Sequence, residues 1–202
     1  KNNILTDFFT TGKYDANREF YKTNAPAMDI LVSSNLERLV WFMADGDGEK
    51  VRGYMDKLNH EGIYEVDEEI FVRIKDQFKA GYLSEDKVLD TIRECFNETG
   101  YLLDTHTAIG YGVLKQYQKD TGDNTKTVLL STASPYKFPE SVYQAIYGEE
   151  LDVYSAINKL NEKTGVPIPK ALAGIKEREI LHKKAIDKTE IISFIKSEIE
   201  AL

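Results

Sequence analysis

The segment Val128-Leu-Leu-Ser-Thr-Ala-Ser-Pro-Tyr-Lys-Phe-Pro139 constrains this chain most, because an apolar β-type run stops at hydroxyl residues and is then broken by prolines. A short apolar run bounded in this way reads as a buried strand. Proline has no N–H to give to a ladder, so the strand ends before Pro135. In an open α/β sheet, ligands sit just beyond the carboxyl ends of the strands. Ser131, Thr132, Ser134 and Lys137 are therefore expected to face whatever crevice the sheet builds.

A chain of 202 residues with 42% hydrophobic residues suits one globular domain or a large piece of one. Its net charge of -8 argues against a nucleic-acid partner, since backbone binding relies on clustered Lys and Arg. Cys95 is the only cysteine, which excludes an internal disulfide and a cysteine-based metal cluster and fits a reducing cytoplasm. Its place in Asp90-Thr-Ile-Arg-Glu-Cys-Phe suggests a half-buried helix residue. No apolar stretch approaches the ~20 residues needed to span a bilayer, so no membrane partner is expected. The opening Lys1-Asn-Asn-Ile does not resemble a secretory signal, and Ile4-Leu-Thr-Asp-Phe-Phe runs straight into structured-looking sequence. The chain reads as soluble, cytoplasmic and starting inside a larger unit.

Met28 to Val32 reads as a short strand, followed by a turn at Ser33-Ser34-Asn35 and a helix over Leu36 to Met43. Ser34 with Glu37 three residues on has the spacing of a capping box. Helices are then expected over Glu49 to Leu58, Asp67 to Phe78 closed by Gly81, and Ser84 to Asn97 with Ser84 as N-cap. A second strand–helix succession starts at Asp104-Thr-His-Thr, with a helix from about Ala108 to Lys119 carrying Ile109, Val113, Leu114 and Tyr117 on one side. Thr127 to Leu130 is the strand that leads to Thr132. Helices over Pro139 to Tyr147 and Asp152 to Lys163, an extended connector at Gly165 to Lys170, and a closing amphipathic helix over Asp187 to Leu202 complete the reading. Helices flanking two or three strands make an α/β architecture with too few strands for a self-sufficient sheet. A missing half is the expectation.

The turn Ser33-Ser34-Asn35-Leu36-Glu37-Arg38 is the best anion site in the chain, because free N–H groups at a helix start, short polar side chains and an arginine favour phosphate or carboxylate. The same residues also suit plain capping by Ser34 and Glu37, with Arg38 as a solvated face residue. Thr132 could offer a neutral hydroxyl to a pyridine nitrogen or simply satisfy local backbone before Pro135. Lys137 could complement an anion or lie on the surface. His106, at a helix entrance, is a candidate pocket residue, whereas His60 and His182 lie in polar surface contexts. No metal-binding spacing, phosphate loop or nucleophile elbow is present.

Four blocks in order resemble the C-terminal part of threonine synthase. They are Asn3-Ile-Leu-Thr-Asp-Phe with Gly12-Lys-Tyr-Asp, Pro26-Ala-Met-Asp-Ile-Leu-Val-Ser-Ser-Asn-Leu-Glu-Arg-Leu, Gly100-Tyr-Leu-Leu-Asp-Thr-His-Thr-Ala-Ile-Gly-Tyr, and Leu130-Ser-Thr-Ala-Ser-Pro-Tyr-Lys-Phe-Pro-Glu. The resemblance implies an α/β fold, the helix-rich C-terminal part of a fold type II pyridoxal-phosphate enzyme with few strands of an open sheet. It implies a carbon–oxygen lyase that converts O-phospho-L-homoserine and water to L-threonine and phosphate. On this reading Thr132 contacts the pyridine nitrogen of pyridoxal 5'-phosphate, while Ser34, Asn35, Arg38 and Lys137 hold the substrate phosphate. His106 carries over less directly, because Thr105 stands where the family commonly has Pro. Residues 1–148 would belong to the catalytic domain, with a helical segment at 45–100, and residues 149–202 would form a C-terminal helical extension. The family's Schiff-base lysine and cofactor-phosphate loop lie upstream of Lys1, so the chain alone is expected to lack a catalytic residue and activity. Its partner would be its own N-terminal half, and by itself it would self-associate through exposed strand edges. The rival readings are a truncated homologue acting as an anion-binding or interaction module, and another fold type II enzyme such as a threonine dehydratase relative.

Overall fold

The computed structural model of the chain describes residues 2–181 and 183–201, so the expectation for His182 lies outside the described residues. The chain divides into two compact units, one up to Ile168 and one from Pro169 onward.

The first unit opens with α1 (Ile4–Thr11), whose Ile4 and Phe8 fall one turn apart and are buried. Strand β1 (Lys13–Asp15) pairs antiparallel with β2 (Ile63–Glu65), Tyr14 standing opposite Tyr64. Between them lie α2 (Ser34–Met43) and α3 (Gly48–Glu61), and α4 (Glu68–Gln77) follows β2. Each helix turns an apolar stripe at helical spacing onto one core: Leu36, Val40 and Met43 from α2, Val51, Tyr54 and Leu58 from α3, and Ile70 and Ile74 from α4. Burying such stripes removes apolar surface from water at roughly 25 cal/mol per Å². The tyrosines pack as rings, Tyr14 on Tyr64 at 5.3 Å and Tyr54 on Tyr64 at 5.7 Å between centroids. Burial is the largest effect on the phenols of Tyr14 and Tyr64 and raises the pKa of both.

Gly62 ends α3 in the left-handed region with φ of 76°. A Cβ there would lie 2.3 Å from the Asn17 carboxamide oxygen, so this turn suits glycine on both counts. At the other end of α2 the chain turns through Asp45, which takes a positive φ of 54°. Arg73 of α4 holds that carboxylate through two hydrogen bonds of 2.8 and 2.7 Å and also donates to the Met43 carbonyl at 2.7 Å. The guanidinium accordingly lowers the pKa of Asp45.

A second set of helices completes the unit: α5 (Glu85–Thr99), α6 (Thr105–Thr121), α7 (Pro139–Tyr147) and α8 (Val153–Thr164). Helix α5 packs on α6 and α7, and α7 packs on α8. The approach of α5 to α6 depends on Gly112, where a Cβ would lie 2.5 Å from Leu83 Cδ1 and 3.1 Å from Thr91 Oγ1. Hydrogen bonds tie the two sets together, the contact of Ala27 with His106 among them. Thr6 donates to the Gly81 carbonyl at 3.0 Å, Asn24 donates to Glu85 through its backbone and its side chain at 3.2 Å each, and Ser141 donates to Asn24 at 3.0 Å.

The second unit holds α9 (Ile191–Glu200), entered through a short 3-10 turn at Lys188–Glu190 whose Asp187 and Glu190 form a capping box. Its stripe of Ile191, Ile192, Ile195 and Ile199 is exposed.

The helix-rich reading holds, but the strands that form are not the expected ones. Pro26–Met28 is a 3-10 turn, and the following residues to Ser33 make no ladder. Thr127 to Leu130 is neither buried nor paired, with Val128 83% and Leu130 75% exposed. Both runs lack a neighbouring strand among the described residues, and an apolar run without a ladder partner cannot satisfy its backbone as sheet. The Ser34–Glu37 capping box is also absent: Ser33 occupies the cap position without a side-chain bond. Ser84 precedes α5 as expected but makes no side-chain cap either. Helix α4 ends at Gln77, within one residue of the expected Phe78, and Phe78 rather than Gly81 is its C-cap. Helix α6 starts at Thr105, three residues before the expected Ala108, because Asp104 caps it. Cys95 is fully rather than half buried.

Candidate functional site

The start of α2 is built from a distance. Tyr14, buried on β1, donates its hydroxyl to the Leu31 carbonyl at 3.0 Å and accepts the Ser33 N–H at 3.0 Å. This clamp fixes the turn that presents Ser34 and Asn35. Their N–H groups have no acceptor among the described residues, and both residues are exposed. By contrast, Asp47, Asp104 and Asp152 fill the equivalent positions of α3, α6 and α8 with capping carboxylates. The first turn of α2 therefore keeps free donors at the positive end of the helix dipole. Arg38 donates to the Asn35 carboxamide oxygen, which orients the guanidinium over the same turn and leaves its other N–H groups available. Glu37 shares the turn and offsets part of that positive charge. Beside it, Arg38, Trp41, Phe42, Val51, Arg52 and Met55 line an open groove of about 490 Å³ between α2 and α3.

The start of α6 forms a second centre. Asp104, with a wholly buried side chain, accepts the N–H of His106 at 2.9 Å and of Thr107 at 3.3 Å, and also the Thr107 hydroxyl. The His106 ring lies between Asp104, 3.2 Å from its Nδ1, and the Ala27 N–H, which donates to Nε2 at 3.0 Å. Phe138 packs against the ring at 5.1 Å between centroids. Ser131 Oγ meets Thr107 Oγ1 at 3.2 Å, so the expected strand-end segment is anchored to this helix start even without a ladder.

Among the residues expected to face a crevice, Thr132 and Lys137 are exposed, and the Thr132 hydroxyl makes no hydrogen bond among the described residues. The Lys137 ammonium sits 5.6 Å from the Phe138 ring centre. Ser134 instead turns inward to cap the Pro135–Lys137 turn, accepting the Tyr136 N–H at 3.2 Å. The structure thus joins Asn35 to Arg38, and Lys137 to His106 by way of Phe138. Among the described residues no hydrogen bond or ion pair joins the Ser34–Arg38 turn to the Ser131–Lys137 segment. Sequence reasoning missed Tyr14 and Asp104. An Asp directly before a helix is a readable cap signal, but nothing local marks Tyr14, whose partners lie 17 and 19 residues away.

Every lysine among the described residues is exposed. Where lysine pKa values shift they rise, at Lys50, Lys115 and Lys163, each through a hydrogen bond to its partner. A lysine that serves as a nucleophile needs the opposite, a pocket that disfavours its charge. No cluster of three or more metal-ligating side chains occurs among the described residues, and no helix among them is long and apolar enough to cross a membrane.

These features were compared with known proteins. A family model described as "Threonine synthase, C-terminal" matches residues 107–192. The chain is 34% identical over 158 residues to human "Threonine synthase-like 1", a match covering 77% of this chain and 21% of the relative. The crystal structure of threonine synthase from yeast superposes with a TM-score of 0.78 at 30% identity, covering 98% of this chain and 40% of that one. The crystal structure of PLP-bound threonine synthase from Brucella melitensis superposes with a TM-score of 0.71 at 32% identity, covering 88% and 34%. The chain thus spans between 21% and 40% of the length of these relatives. It belongs to the threonine synthase family and corresponds to the family's C-terminal portion.

Proposed function

We propose that this chain forms one wall of an active site that uses pyridoxal 5'-phosphate to convert O-phospho-L-homoserine and water to L-threonine and phosphate. The observation that carries this reading is the likeness to yeast threonine synthase along 98% of the chain, together with the uncapped, arginine-bearing start of α2. A phosphate group suits that turn, because free backbone donors, the Ser34 hydroxyl, the Asn35 side chain and the Arg38 guanidinium all favour a dianion. Lys137 would add positive charge from the strand-end segment.

The residues present fit the ring side of the cofactor and not its covalent anchor. Thr132 offers an exposed hydroxyl without a protein partner, the right group to meet a pyridine nitrogen while leaving it unprotonated. No described lysine has the buried setting of a covalent anchor, so that anchor is assigned to a part of the active enzyme outside this sequence. The cofactor, when bound there, supplies the electron sink for the chemistry at the amino-acid carbons. This chain's residues bind and orient the leaving phosphate and hold the ring edge. The exposed apolar runs around Val128 and Leu130 supply a surface for the enzyme's N-terminal half, or for self-association when that half is absent. We place the reaction in the cytoplasm, which suits a chain whose single cysteine is a free, buried thiol.

The test is to assay the full-length gene product with O-phospho-L-homoserine and the cofactor, following phosphate and threonine together. Equal, cofactor-dependent release of both is the expected result. Phosphate without threonine would indicate a related elimination enzyme. Neither product, with phosphate still bound, would favour the reading as an anion-binding module.

A further inference from the structure

We propose that Asp104 and His106 form a positioning latch, in which the buried carboxylate holds the imidazole as the neutral Nδ1–H tautomer so that its bare Nε2 pins the backbone of Ala27. The loop that leads into α2 is thereby fastened to the start of α6.

The chemistry leaves one consistent proton arrangement. A backbone N–H can only donate, so the contact of 3.0 Å from Ala27 N to His106 Nε2 requires a lone pair on Nε2. A neutral imidazole carries one N–H, which then resides on Nδ1 and donates to Asp104 Oδ1 at 3.2 Å. The two side chains are shielded from water, His106 being 8% and Asp104 0% exposed, whereas Ala27 itself lies at the surface. Asp104 is itself immobilised by the two amides of α6 and the Thr107 hydroxyl. An imidazolium would present N–H to N–H at Ala27, so the contact needs the neutral ring.

The charged groups facing the ring are few. Asp104 lies on the helix cap, and Lys137 stands beyond Phe138, its ammonium 5.6 Å from that ring. Residues 25–28 contribute no titratable side chain, and the next one, Asp29, is occupied by Asn2 and Thr23.

The latch joins segments distant in sequence, since the Ala27 loop precedes Ser34–Arg38 and Thr107 holds Ser131 from the same helix start. His106 is therefore a positioning residue for the substrate-phosphate turn. That consequence rests on the function proposed above, whereas the latch itself does not.

The test needs neither cofactor nor activity. In the protein labelled with 15N at histidine, the ring nitrogens of His106 report the tautomer, and hydrogen exchange reports the Ala27 amide. At neutral pH we expect Nδ1 protonated, Nε2 bare and Ala27 protected. His106→Asn is too short to reach Ala27 and should speed that exchange at least about tenfold, the scale of one lost hydrogen bond. His106→Gln places a carboxamide oxygen where Nε2 stands and should restore protection. A proton on Nε2 at neutral pH, read on wild type even if the variants unfold, would overturn the proposal. So would unchanged Ala27 exchange in folded His106→Asn, or exchange in folded His106→Gln as fast as in His106→Asn.

Discussion

Arg38→Ala in the active enzyme is expected to lower kcat/KM for O-phospho-L-homoserine about tenfold to hundredfold, because a charge-assisted hydrogen bond to phosphate contributes roughly 1.5–3 kcal/mol. Arg38 is exposed and already aimed across the first turn of α2 by Asn35, so the loss should come from binding rather than folding. Arg52 lines the same groove but stands on α3, where it pairs with Glu49 at 3.3 Å. Arg52→Ala therefore serves as the control and should change kcat/KM little. Steady-state kinetics of both variants decides the matter. Equal kinetics for Arg38→Ala and wild type would return Arg38 to the role of a solvated face residue.

The second large effect is on stability. Phe8 is fully buried and meets Phe9 at 5.7 Å and both Tyr14 and Tyr64 at 6.0 Å between ring centres. Truncating a buried aromatic ring typically costs about 3–5 kcal/mol, through lost transfer energy and the cavity left behind. Phe8→Ala should show that loss in urea unfolding. Because Phe8 packs on Tyr14, whose hydroxyl holds Leu31 and Ser33, the cavity should also loosen the entry to α2. A loss below about 1 kcal/mol would mean that the site can repack without the ring, and that α1 is not part of the core that positions the turn.

Helices were the legible part of the sequence. Stripes such as Leu36, Val40 and Met43 are local signals that survive whatever the rest of the fold does, whereas the side-chain caps expected at Ser34 and Ser84 do not form. Strands were not legible in the same way. Val128 to Leu130 has strand composition, but a ladder needs a partner, and among the described residues none pairs with it. Lys13–Asp15 and Ile63–Glu65 pair although each is only three residues long, because α1, α3 and α4 deliver Tyr14 and Tyr64 to a common core. The site was half legible. Ser34, Asn35 and Arg38 stand out as a helix start carrying an arginine, whereas Tyr14 becomes visible only once β1 has folded under the turn. Asp104 could have been read as a cap, but its second task, orienting His106 toward Ala27, depends on a loop 79 residues from the histidine.

The central claim is that the start of α2 and the Thr132 segment face one substrate and one cofactor. A crystal structure of the active enzyme with pyridoxal 5'-phosphate and a non-hydrolysable phosphonate analogue of O-phospho-L-homoserine tests it most directly. The phosphonate is expected against the first-turn amides of α2 and the Arg38 guanidinium, with the Thr132 hydroxyl at ~3 Å from the pyridine nitrogen. A phosphonate bound away from α2, or a pyridine nitrogen held by another residue, would contradict it.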